Sequence, residues 1–528
     1  MEQNKKRGGK HMQIAVILSL ILSVWHSILF FRQSVGISVI LFAIPTIFAT
    51  MYVLEKLGKI KNKKAYILTV PILILSSTYL FFDNTYFNIL NIFVILALFA
   101  SMITWAISDK LKLAHFFEKI FNIIVGPIEF LGKGISIIRD TLFTTSKDKP
   151  KIAIFKRILK AIIISIPILI VILFLLISAD DEFAKLFSGL ADYIVKIFTN
   201  WEILYFILRI ALIIILFIYF VSFIYNLTNE KSSYNVIEKV SKTKKIKIDT
   251  FTVNTILTVL NVVYLIFTAV QLIHIGDNVS IEKLSETARQ GFFQLMVVSI
   301  INFVLVIITT MNSSEEGKTA KNYKKIMNII MIIFTVVILA VSVQKMMLYV
   351  NRYGFTYLRI FVLFTLATEA LLIIPTIMYI VKEKMNLFYS YLAIIIIMYT
   401  LLNVVNVDKF IAKQNIDLYF KTGKIDLDYL KDLKSADAKI EIKRLLNNEK
   451  NTENLNVEVN NYLYKVENDI KRDVEKNKFT WQSFNFARNR MRKEIEGLNL
   501  EHQSYNYKKN KYNYDDNYSY DIDEDFNI

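Results

Sequence analysis

Five polar side chains inside one apolar stretch, Asn254, Thr258, Asn261, Thr268 and Gln271, recur at steps of four, three, seven and three residues. On a helix of 3.6 residues per turn they form one stripe, with Val, Ile, Leu and Phe on the other faces. Two chemistries suit such a stripe: hydrogen bonds to a neighbouring membrane helix, worth about 0.6 kcal/mol each, or a hydrated path for a solute. Two ionisable residues also lie deep in apolar stretches. Arg209 is eight residues past Trp201 and Glu369 nine past Ile360, so at about 1.5 Å per residue both sit about 12–14 Å inside the same boundary. Equal depth predicts an Arg209–Glu369 ion pair. The alternative is that Arg209 reaches outward past Tyr205 to Glu202 while Glu369 stays protonated or bonds a neighbouring Thr.

Other chemistry is sparse. Cysteine is absent and the five histidines, His11, His26, His115, His274 and His502, have no metal-ligand spacing. No phosphate loop, dinucleotide fingerprint, nucleophile elbow or HExxH motif occurs, and the Lys-rich stretch 239–247 lacks the interleaved aromatics of a nucleic-acid surface. The sequence therefore assigns no catalytic residue, metal set, cofactor or nucleic-acid partner.

The elements that carry these residues follow from hydropathy. Of 528 residues 54% are hydrophobic and 21% charged, with a mean hydropathy of +0.42, which excludes an ordinary soluble enzyme and a disordered chain. Eleven stretches are long enough to cross about 30 Å of hydrocarbon: roughly 12–31, 34–54, 65–82, 86–107, 158–179, 201–225, 250–275, 291–312, 326–343, 360–380 and 387–405. The first follows Lys5, Lys6, Arg7 and Lys10 without a small-residue cleavage site and reads as an uncleaved anchor. With the N-terminus inside, cytoplasmic loops hold 31 Lys+Arg and the opposite loops 8. The net charge of +17 is thus a topological signal rather than a ligand-binding field. Eleven spans put the C-terminus outside.

The expected architecture is an all-α polytopic bundle of about eleven spans: a four-span region over 1–107, a cytoplasmic loop over 108–157, a seven-span core over 158–405, a helical soluble region over 406–500 and a disordered Tyr/Asn/Asp-rich tail over 501–528. Residues 112–139 read as an amphipathic helix on the cytoplasmic leaflet that breaks at Gly126-Pro127, and 180–200 as an amphipathic cap on the outer side. In the tail, 427–448, 452–477 and 480–497 have helical periodicity, with Thr480 as an N-cap.

Four strings stand out in order: Ser178-Ala179-Asp180-Asp181-Glu182-Phe183, Ala288-Arg289-Gln290-Gly291-Phe292-Phe293-Gln294-Leu295, Tyr353-Gly354-Phe355-Thr356-Tyr357-Leu358-Arg359, and Asn406-Val407-Asp408 through Asn415 to Asp426-Leu427-Asp428-Tyr429-Leu430. Together they resemble the bacterial family called domain of unknown function 4173, over roughly residues 150–435, with Phe355 where that family is expected to carry Leu. The resemblance implies a multi-pass bacterial membrane protein and no particular reaction.

The topology places all four strings at the outer ends of spans or in outer loops. Asp180, Asp181, Glu286, Arg289, Arg352, Arg359 and Asp408 then form one mixed-charge outer surface, and Arg209, Glu369, Asn254, Asn261 and Gln271 are the intramembrane polar set. The expected partners are the lipid bilayer and an envelope component or protein at the outer face. Three function classes follow: a structural, sensory or partner-binding envelope protein working through its outer face; a transporter or channel using the stripe of 250–275; and an envelope transferase with Asp180 or Asp181 as acid or base.

Overall fold

The computed structural model describes residues 2–108, 113–143, 201–228, 249–274, 281–311, 317–382, 386–476 and 478–503, with Ser165 and Ile172 as isolated positions. Every regular element among them is helical: α1 (Glu2–Phe30), α2 (Ile37–Lys56), a 3-10 turn (Lys63–Leu68), α3 (Thr69–Phe81), α4 (Thr85–Ile107), α5 (Leu113–Glu129), α6 (Leu131–Phe143), α7 (Trp201–Thr228), α8 (Thr250–His274), α9 (Ile281–Met311), α10 (Lys318–Tyr353), α11 (Tyr357–Lys382), α12 (Leu387–Val404), α13 (Val407–Thr422), α14 (Leu427–Asp432), α15 (Ala436–Ile442), α16 (Glu453–Glu475) and α17 (Phe486–Ile495). Ten described helices are long and apolar enough to cross a membrane, or eleven if the bent α5–α6 pair counts as one span. Ten of the eleven expected spans coincide with these helices. The stretch 158–179, the cap at 180–200 and the tail from 504 onward lie outside the described residues.

Helices α5 and α6 meet at 62°. The break falls at Phe130, three residues beyond the expected one, because α5 carries Pro127 within its last turn and ends only after it. Glycines let this pair approach α7 closely: a Cβ on Gly126 would lie 2.7 Å from Asn226 Nδ2, and one on Gly134 would clash with Ser222 Oγ. Tyr219 donates to the Ile124 carbonyl (3.0 Å) and Asn226 to that of Asn122 (3.0 Å). Phe117, Phe121, Ile128 and Ile135 stay exposed, an apolar face suited to lipid.

The C-terminal helices pack on the ends of the spans opposite the start of α1. Leu430, Ile442, Leu463 and Ile495 are fully buried in a core shared by α13–α17. Two tail expectations need correction. The stretch 427–448 is two short helices, α14 and α15, separated at Leu433–Ser435, where Ser435 caps α15 by accepting from Ala438 N. Thr480 is no N-cap; α17 starts at Phe486 with Asn485 as its cap. The residues between form a turn, with Ser483 N donating to Thr480 O (3.2 Å) and Phe484 N to Trp481 O (3.2 Å), and their carbonyls serve the α1–α2 loop: Phe484 O accepts from Ile37 N (2.9 Å) and Gln482 O from Ser38 N (3.2 Å).

That crossing is tight enough to require glycine. A Cβ on Gly36 would sit 2.5 Å from Phe484 O and 2.6 Å from Ser483 C, both backbone atoms. Gly36→Ala is expected to loosen 478–488 from the bundle at a cost of about 1–3 kcal/mol, the usual range for overpacking. Faster amide hydrogen exchange confined to 34–38 and 478–488 checks it.

Candidate functional site

The loops at the end of the bundle opposite the start of α1 converge on the C-terminal helices through buried polar groups. Asp408, at the first turn of α13, is 3% exposed. It accepts hydrogen bonds from Tyr357 Oη and Ser435, while Asn84 Nδ2 donates to Tyr357 Oη (2.7 Å). Tyr357 N donates to Tyr429 Oη (2.9 Å). One carboxylate thus ties the α3–α4 loop, the start of α11 and the α14–α15 connection together. Burial pushes the Asp408 carboxyl above the usual range, and the nearby Asp83 and Asp437 carboxylates add to the shift. Asp437 is also raised by burial, although Asn406 donates to it (2.7 Å). Asp83 accepts from Ala436 N (3.2 Å) and pairs with Arg488 (3.4 Å).

A second clasp lies beside the first. Asn415 makes a two-way bond with the backbone of Phe355, accepting from its N–H (2.6 Å) and donating to its carbonyl (2.8 Å). Gly354 lies at φ +78°, and a Cβ there would collide with Asn415 Oδ1. Arg359 folds back onto the carbonyls of Tyr353 (2.8 Å) and Gly354 (2.6 Å), with its guanidinium 4.4 Å from the Tyr349 ring centre. These bonds hold the α10–α11 turn to α13.

Of the expected outer cluster, the structure brings Arg359 and Asp408 to this junction. Their partners are backbone carbonyls and hydroxyls, rather than each other. Arg352 is exposed and lies in the last turn of α10. Glu286 and Arg289 lie on the first part of α9, where only the backbone is described. Asp180 and Asp181 lie outside the described residues.

Inside the membrane the stripe of α8 faces α10. Asn254 Nδ2 donates to the Ala320 carbonyl (3.3 Å), Thr258 pairs with Tyr323 Oη (2.8 Å), and Asn261 Nδ2 donates to the Met327 carbonyl (3.0 Å). Gln271 falls near the end of α8, where only the backbone is described. The Arg209–Glu369 pair does not form. Arg209 Nε donates to Ser27 Oγ (3.0 Å), and Glu369, 4% exposed, accepts from Ser299 Oγ. Equal depth does not fix the direction in which a helix faces, and α7 packs on α1 while α11 packs on α9, α10 and α12.

The structure adds a seam that sequence reasoning missed. Asn328, Thr335 and Ser342 on α10 are spaced by seven, as are Asn302 and Thr309 on α9, and all are buried. Asn302 donates to Thr335 Oγ1 (3.0 Å) and Thr309 to Asn328 Oδ1 (3.1 Å), and Tyr264 donates to Asn302 Oδ1 (2.5 Å). The repeat of seven was the available signal, since it keeps one face toward an antiparallel partner. Among the described residues no group of three or more His, Cys, Asp or Glu could hold a metal ion.

The family model described as Domain of unknown function (DUF4153) matches residues 69–445. This corrects the resemblance drawn from the four strings: the matching family is 4153, and the match begins in α3 rather than near residue 150. No curated protein and no solved structure matches the chain.

Proposed function

The chain belongs to the DUF4153 family, and from that premise we propose that this multi-pass membrane protein is a bacterial cell-envelope platform whose outward-facing helical domain, α13–α17, is its working part. The N-terminus lies in the cytoplasm and the C-terminal domain outside, as the 31-to-8 distribution of basic residues favours. One observation carries this reading. The C-terminal helices are pinned to three separate inter-helix loops, at Gly36–Ser38, Asp83–Asn84 and Gly354–Tyr357, so an event on the domain reaches several spans at once. A sensory or structural part needs that rigidity; a freely tethered accessory would not.

A second reading, solute or ion transport, draws support from the seam at α9–α10 and from Glu369, whose Oε1 is buried with no hydrogen-bond partner among the described residues; an ionisable group at membrane depth is expensive unless used. Against a path along α8, the Asn254 and Asn261 amides each donate to an α10 carbonyl. Asn261→Leu is therefore expected to cost only about 0.6 kcal/mol and to leave function intact. In a strain lacking the gene, resistance to wall- and membrane-directed agents should be restored by the wild type and by Asn261→Leu, but not by a chain ending before Val407. Restoration by the truncated chain would refute the platform reading. Proteoliposome flux abolished by Asn261→Leu would establish the alternative.

A further inference from the structure

Two cavities of opposite chemistry are each lined by residues of α7 and of α1 or the loop that follows it. The first, about 640 Å³, lies at the end of the bundle that carries the C-terminal helices and is lined, among the described residues, by Arg32, Arg209, Lys476 and Lys478 and by one carboxylate, Glu202. Lys478 is also held by Asp473 (2.7 Å), which leaves the two arginines and Lys476 as the principal positive charges. Both arginines are positioned. Arg209 is anchored by Ser27, and the Arg32 guanidinium lies 3.6 Å from the Tyr205 ring centre. Arg32 holds φ at +59°, in the left-handed region that disfavours side chains with a Cβ. The adjacent loop is fixed from the other side by Thr480, which donates to Gln33 Oε1 (2.5 Å).

The second cavity, about 210 Å³, begins one residue away. Phe30 lines it where Phe31 lines the charged one, and it runs inward among Leu22, Val39, Phe42, Phe99 and Phe223. Four of the hydroxyls on its wall are already bonded within the protein. Ser19 bonds the Ala15 carbonyl, Thr46 that of Phe42, Ser76 that of Ile72 and Tyr219 that of Ile124. Along α1 the apolar wall extends from Phe30 to Leu18, twelve residues or about 18 Å of helix. That is close to the roughly 15 Å half-thickness of the hydrocarbon layer. Trp201 and Tyr205 at the start of α7 mark the interface at which the charged cavity sits.

We propose that the two cavities form one binding site for an anionic phospholipid, with its phosphate between Arg32 and Arg209 and one acyl chain in the apolar cavity. Arginine suits this role because its planar fork holds phosphate through paired, charge-assisted bonds. A free anion would use the first cavity and leave the second idle, and a zwitterionic lipid would bring its own cation to a cationic wall.

The test uses the full chain in nanodiscs or detergent, with bound lipid read by native mass spectrometry. Phosphatidylglycerol should bind at least tenfold more tightly than phosphatidylcholine, and soluble glycerol phosphate should bind much more weakly than either lipid. The Arg32→Gln, Arg209→Gln double variant should lose at least tenfold in phosphatidylglycerol affinity, since each charge-assisted bond is worth about a factor of ten. Ala43→Phe, which fills the apolar cavity from α2, should weaken the lipid and leave glycerol phosphate unchanged. If the arginine variant does not fold, the headgroup comparison on the wild type and the Ala43→Phe result still decide. No preference for the anionic headgroup, or full affinity in the arginine variant, overturns the site. Glycerol phosphate binding as tightly as the lipid, or an unaffected Ala43→Phe, overturns the acyl-chain seat. None of these outcomes depends on which side of the membrane the C-terminal domain occupies, so the platform reading stands or falls separately.

Discussion

Asn415→Ala should release the α10–α11 turn from α13 and destabilise the docked C-terminal domain by about 2–6 kcal/mol. The estimate follows from two bonds lost at once, because the Phe355 N–H and carbonyl both face Asn415. Leaving a buried donor or acceptor unmet costs about 1–3 kcal/mol. Gly354→Ala should cost a similar amount for two independent reasons: its φ of +78° is unfavourable for any other residue, and its Cβ would meet Asn415 Oδ1. In the double variant the collision disappears, so the combined loss should be smaller than the sum of the single losses. Proteolytic release of a fragment beginning near Val407 would report all three. A wild-type proteolysis rate in Asn415→Ala would show that the clasp does not hold the domain.

Docking should also strengthen on acidification, and Asp408 should be the main reason. Burial raises the Asp408 carboxyl above its value in the unfolded chain, and Asp437 is raised likewise. The folded state therefore binds the proton more tightly than the unfolded one. Stability is fully present below the ordinary carboxylate pKa of about 4 and declines as pH rises from there through the raised value. Asp408→Asn keeps an acceptor for Tyr357 and removes the ionisation, so its stability should change less between pH 5 and pH 8 than that of the wild type. Asp408→Ala should instead be severely destabilised at both values, because the Tyr357 and Ser435 donors lose their acceptor. Amide exchange in α13–α15, measured across that pH range, separates the three proteins. An unchanged pH slope in Asp408→Asn would remove Asp408 from the account.

The spans were legible because about 20 apolar residues of helix leave little else for the chain to be. The face of the α8 stripe was legible too, since spacing fixes it; that it meets Ala320, Tyr323 and Met327 was not, because no local pattern names a partner. The same limit undid the Arg209–Glu369 pair, where depth could be counted and azimuth could not. The α9–α10 seam was hidden inside stretches whose hydropathy drew attention away from Asn302, Asn328 and Thr335. The junction was the least readable part. Asn84 meets Tyr357, and Asn485 donates to the Tyr79 (2.7 Å) and Phe82 (2.8 Å) carbonyls, across several hundred residues. Each of those side chains read alone is an ordinary polar group at a span end. Of the four strings, the last two proved to be the two halves of one clasp.

The side of the membrane on which that clasp sits decides the platform reading, and the cysteine-free chain makes it directly measurable. Lys424 and Lys318 are exposed and lie at opposite ends of the bundle, beyond α13 and at the start of α10. In intact cells a membrane-impermeant maleimide should label Lys424→Cys within minutes and reach Lys318→Cys only after permeabilisation. Labelling of Lys318→Cys but not Lys424→Cys in intact cells would place the C-terminal domain in the cytoplasm and contradict the account.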